Sequence, residues 1–82
     1  MKDVVERQYI SFERQPLRGK TSRWLVINNR HGDELGVIRW YGAWRQYTFE
    51  AEPECVFSAG CLDDIRGFIR ELMAVRKEQH DG

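Results

Sequence analysis

Only one stretch of this 82-residue chain carries apolar residues at helical spacing. Leu62, Ile65, Phe68, Ile69, Leu72, Met73 and Val75 recur at the i, i+3, i+4, i+7 intervals that gather side chains on one face of a helix. Upstream, apolar residues alternate with polar ones, the two-residue period of strands. A chain this short has surface for one modest core, and one helix covers roughly one face of a sheet. The expected architecture is α+β: an antiparallel meander of about four strands with one C-terminal helix packed on one face. Residues 1–77 are expected to form a single domain and residues 78–82 a frayed tail. The second face of the sheet is left to water or to a partner.

Alternation places strands over residues 4–12, 23–28, 35–41 and 44–51. Between the first two, Arg14 to Ser22 reads as a loop, since Pro16 lacks a ladder donor and Gly19 tolerates a positive φ. Asn28 to Asp33 is a turn by composition. The last two strands join around Gly42-Ala43, and glycine at the first of two loop positions fits a type II′ turn. That turn pairs Tyr41 with Trp44, Trp40 with Arg45, Arg39 with Gln46, Ile38 with Tyr47 and Val37 with Thr48. Ile38, Trp40, Tyr47 and Phe49 then share a core face, and Leu35, Val37, Arg39, Tyr41, Trp44, Gln46 and Thr48 share the other. In the second strand Leu25 and Ile27 oppose Trp24 and Val26, and alternation alone leaves open which pair joins the core. The candidate binding face comprises Trp24, Val26, Val37, Arg39, Tyr41, Trp44, Arg45 and Gln46.

After Glu52-Pro53-Glu54, which no central strand tolerates, Val56 and Phe57 are expected to return to the core. Ser58 is the expected helix N-cap, Asp63 and Asp64 suit the positive helix end, and Arg76 and Lys77 the negative end. Gly67 in mid-helix costs about 1 kcal/mol relative to alanine, which points to a close approach to the sheet at Trp40 or Tyr47. Cys55 and Cys61 lie outside any Cys-x-x-Cys spacing and read as free thiols that act as small apolar groups beside the start of the helix.

Several chemistries find no support. No apolar run approaches the ~20 residues of a membrane span, and Met1-Lys2-Asp3 does not open a signal peptide, so a cytoplasmic location is expected. His31 sits in a turn beside Asp33 and Glu34 with no placed nucleophile, and His80 lies in the tail, so no catalytic residue is assigned. Two histidines and two cysteines without ligand spacing do not build a metal site. Gly19-Lys20-Thr21 has the ending of a phosphate loop without its first glycine, preceding strand or following helix. No cofactor is expected.

Five of the ten aromatic residues fall between Trp40 and Phe49. Tryptophan, tyrosine and arginine dominate the binding energy of protein interfaces, and Val26, Leu35 and Val37 beside them fit an apolar contact. Self-association, as a homodimer, or binding of another protein is therefore expected. The rival reading is a nucleotide or single-stranded nucleic acid bound on the same face, with Trp24, Tyr41 and Trp44 stacking on bases. Its phosphate contacts would come from Arg39, Arg45, Arg30, Arg14, Arg18, Lys20 and Arg23. Formal net charge is zero, which is unusual for a general nucleic-acid binder. The charge is nevertheless split, with nine Lys/Arg against five Asp/Glu in residues 1–48 and four against eight thereafter, an arrangement that lets the halves pack or copies pair.

The run Leu35-Gly-Val-Ile-Arg-Trp-Tyr-Gly-Ala-Trp-Arg-Gln-Tyr-Thr-Phe49, then Val56-Phe57 and Cys61-Leu-Asp-Asp-Ile65, resembles a group of small uncharacterised proteins of bacteria and their phages. These share Trp-Tyr-x-x-Trp-Arg-Gln-Tyr, often with proline where this chain has Ala43. The resemblance covers residues 22–75 and implies a phage or prophage accessory protein. Some such proteins bind host proteins, defence components among them, or sequester nucleotide signals.

Overall fold

Residues 3–80 are described by a computed structural model, with side-chain surroundings for residues 3–77. Five strands, β1 (Val4–Glu6), β2 (Ile10–Gln15), β3 (Arg23–Asn28), β4 (Glu34–Tyr41) and β5 (Gln46–Ala51), precede one helix, α1 (Ala59–His80). The sheet order is β1-β2-β3-β4-β5, and every neighbouring pair is antiparallel. The α+β meander with a C-terminal helix on one face is as expected, with one more strand.

That extra strand arises because the expected first strand folds back on itself. Glu6-Arg7-Gln8, too polar for a strand that buries one side, starts a turn in which the Arg7 amide donates to the Ile10 carbonyl at 2.8 Å. Val5 then pairs with Phe12 and Glu6 with Ser11. The turn is tied to its surroundings: Arg7 pairs with Glu71 on α1 at 2.5 Å, the Tyr9 amide donates to Asp64 at 2.9 Å, and Asn29 Nδ2 donates to the Arg7 carbonyl at 2.8 Å.

The core lies between one sheet face and the helix. Ile10, Phe12, Trp24, Val26, Leu35, Ile38 and Tyr47 meet Ile65, Phe68 and Leu72 there. Phe68 stacks on Phe12, centroids 4.2 Å apart, and meets Trp24 edge to face at 4.9 Å. The buried Trp24 indole donates to Ser22 Oγ at 2.7 Å, and the Tyr47 hydroxyl accepts the Ser22 amide at 3.0 Å, so neither ring brings an unpaired polar group into the core. Cys55 and Cys61 are half-buried against this core and not joined to each other.

Three expectations about the core need correction. Trp24 and Val26 belong to the core, at 1% and 0% exposure, because the β2–β3 register sets them opposite Arg14 and Phe12 on the helix side. Leu35 also faces the core: the β3–β4 register shifts between Val26 and Ile27, leaving Leu35 without a partner across β3 and turning it inward. Val56 is 90% exposed, while Phe57 alone turns back, edge to face on Phe49 at 5.4 Å. The helix runs to His80, and of the expected tail, residues 78–82, the last two lie outside those described.

Ser58 caps α1 as expected, accepting the Cys61 amide on Oγ at 3.2 Å while its carbonyl takes the Leu62 amide at 3.0 Å. Asp63 and Asp64 fall after the first turn, and Asp64 holds the β1–β2 turn. Gly67 does not approach the sheet; a Cβ added there meets nothing within 4 Å. Gly67→Ala should therefore raise stability by about 0.5–1 kcal/mol, seen as a higher thermal midpoint by circular dichroism. An unchanged or lower midpoint would contradict that open surround.

Candidate binding face

The hairpin joining β4 and β5 determines what the outer sheet face presents. Tyr41 pairs with Gln46, Trp40 with Tyr47, Arg39 with Thr48 and Ile38 with Phe49, so the loop has four residues, 42–45. The Trp44 amide donates to the Tyr41 carbonyl and the Arg45 amide to the Gly42 carbonyl, both at 3.2 Å. Positive φ belongs to Arg45, at 55°, and not to Gly42, which corrects the two-residue II′ reading. The observed register differs from the expected one by two residues. Because side chains alternate with period two, each strand residue of the hairpin from Val37 to Phe49 keeps its face. Trp44 and Arg45, however, leave the ladder for the tip.

At that tip Trp44 is 66% exposed and meets Tyr41 edge to face at 4.9 Å. Below it, Leu25 opposes Val37 and Ile27 opposes Ser11, forming a half-buried apolar stripe on the side away from α1. Arg39 bridges this stripe to the edge, donating through Nε to Glu50 at 2.7 Å with its guanidinium 6.0 Å from the Tyr41 ring centroid. The hydrogen bond between them raises the Arg39 pKa and lowers that of Glu50. A lowered carboxylate contributes stability above its unfolded pKa and loses it as pH falls through the folded value. Both groups are open to water, so the pair orders the face more than it stabilises the fold.

Of the eight expected face residues, Val37, Arg39, Tyr41 and Gln46 lie on the outer face and Trp44 at its tip. Trp24 and Val26 are enclosed, and Arg45 turns to the helix side, where it lines a depression with Trp40, Met73 and Arg76. Leu25, Ile27 and Glu50 also lie on this face and were not singled out in advance. Alternation pairs Leu25 with Ile27, but only the strand register assigns them a side. With Trp24 1% exposed, the three-ring stacking set for bases is not available on this face.

Among the described residues no three His, Cys, Asp or Glu side chains gather as metal ligands would. No helix of the structure is long and apolar enough to cross a membrane. No family model and no solved structure matches the chain. Over 77 residues, 93% of this chain and 99% of the relative, it is 34% identical to the uncharacterized 9.3 kDa protein of Acholeplasma phage L2. The chain belongs to the family of that phage protein. With at most a few terminal residues left out, the match to this small phage-related family takes in β2 to β5 and most of α1.

Proposed function

We propose that this member of the phage family is a non-enzymatic binding module that works through its outer sheet face, by pairing with a second copy of itself. The observation that carries the reading is Trp44: two-thirds exposed, braced by Tyr41, on the face of a Leu25–Ile27–Val37 stripe that no element among the described residues covers. A tryptophan held by a neighbouring ring loses little freedom on binding, which is why such residues anchor interfaces.

A second copy suits this face because its charges are mixed. Arg23 and Arg39 lie among Glu13, Glu34 and Glu50 on the outer side, and a twofold contact sets each patch against itself. Arginines of one copy then meet glutamates of the other around an apolar centre. A host protein, including a defence component, would use the same anchors.

Solution mass by light scattering tests this. Wild type is expected to run as a dimer at tens of micromolar, and Trp44→Ala combined with Val37→Glu as a monomer with an unchanged circular dichroism spectrum. Added salt should leave the dimer intact or tighten it, since apolar burial dominates. A monomeric wild type would sink pairing with itself and turn the search to host-cell partners of the same face.

A further inference from the structure

On the opposite side of the sheet, where the β2–β3 loop meets the C-terminal half of α1, lies a cleft of about 140 Å³. Arg14, Lys20 and Arg76 line it, together with Thr21, Ser22 and Tyr47, and no carboxylate does. Three like charges around one small space make it a region of positive potential that favours an anion. Two arginines elsewhere pair with acids, Arg7 with Glu71 and Arg39 with Glu50. Arg76 differs: its guanidinium stacks 4.0 Å above the Trp40 ring, and its Nη1 is buried with no hydrogen-bond partner among the described residues. Buried donors are normally satisfied, so an unpaired one beside a cationic cleft marks a place where a ligand supplies the acceptor.

We infer that this cleft is a phosphate site, taking the phosphate of a small phosphomonoester of nucleotide type. Charge selects the ligand class. A phosphomonoester carries about −1.5 to −2 at neutral pH and several acceptor oxygens, a closer match to three cations and two or three hydroxyl donors than a single carboxylate. The non-phosphate part has a place to rest, because Arg76 also borders the open depression of about 500 Å³ floored by Trp40 and Met73 and flanked by Arg45 and Lys77. Arg76, held over the Trp40 ring, is pre-set for both spaces, which reduces the ordering cost of binding. The site is separate from the outer face: apart from the shared hairpin, no residue of the Leu25–Ile27–Val37 stripe or the Tyr41–Trp44 pair borders it.

Calorimetric titration at fixed ionic strength tests the site, with AMP, inorganic phosphate and adenosine as probes. Tryptophan fluorescence follows in parallel, since Trp24 and Trp40 border the two spaces. AMP is expected to bind saturably, inorganic phosphate more weakly and adenosine not at all. Lys20→Met and Arg14→Gln, both at exposed positions, should each weaken AMP roughly tenfold, the size of one charge-assisted contact. Trp44→Ala with Val37→Glu should leave AMP binding unchanged, so failure of the outer face and failure of the cleft are told apart. Absence of saturable AMP binding at millimolar concentration, equal binding of adenosine, or unchanged affinity in both cleft variants would each overturn the assignment.

Discussion

Phe68→Ala is expected to cost about 3–5 kcal/mol, the range for removing a buried aromatic ring, against a total stability for such a domain on the order of 5–15 kcal/mol. Phe68 is fully buried, lies flat on Phe12 and meets the edge of Trp24. Few of its neighbours can fill the space. Phe12 and Trp24 belong to adjacent strands whose backbones are locked in the ladder, and Trp24 is further held by its bond to Ser22. A cavity that cannot collapse takes the upper part of the range. Each kcal/mol shifts the melting midpoint of a domain this size by roughly 4–8 °C, so the variant should melt at least ~12 °C lower or lose its cooperative transition. Thermal and urea denaturation followed by circular dichroism measure this. A loss below about 1 kcal/mol would mean that the helix is not held to the sheet through this ring.

Much of this fold was legible because two periods never overlap in the chain. The 3.6-residue period is confined to α1, and its inward residues Ile65, Phe68 and Leu72 are among those the spacing selects. Leu62 and Val75, on the margins of that stripe, are exposed at 51% and 37%, since a helix crossing a sheet at one level leaves its flanks open. The division of the β4–β5 hairpin into a face with Ile38, Trp40, Tyr47 and Phe49 and a face with Val37, Arg39 and Tyr41 was also legible. It survived a wrong turn type because the error in register was an even number.

What alternation alone could not supply was the relation between strands. Trp24 and Val26 against Leu25 and Ile27 is a choice between two equally apolar pairs, decided by the ladder to β2, where Ile10 and Phe12 were already committed to the core. Leu35 follows strict alternation on paper and breaks it in space, since one unpaired residue reverses every side chain before it. Arg76 was read as a cation at a negative helix end. Its place beside Arg14 and Lys20 depends on a loop 56 residues upstream returning to the same corner, which no local pattern encodes.

That bulge makes Gly36 the most demanding position in the sheet. Its φ of +155° lies in a region that side chains rarely adopt, and a Cβ there would run into the carbonyl oxygen of Glu50, with Phe49 Cε1 at 2.8 Å and the Ala51 Cα at 3.0 Å. Two of these three obstacles are backbone of β5, so no rotamer change relieves them. The Phe49 ring occupies the space over the glycine that a side chain would otherwise fill. Gly36→Ala therefore combines backbone strain of about 1–3 kcal/mol with overpacking of about 1–3 kcal/mol. The expected loss is roughly 2–6 kcal/mol, and β5 should be displaced first. Because β5 carries Thr48 and Glu50 of the outer face and Tyr47 of the cleft, both proposed sites should weaken together, unlike the selective losses expected from Val37→Glu or Lys20→Met. The comparison with Gly67→Ala is the sharpest form of the measurement: the same chemical change should stabilise on the helix and strongly destabilise at the bulge. Equal midpoints for the two variants would show that β4 does not pass β5 at this separation, and the inward turn of Leu35 would have to be abandoned with it.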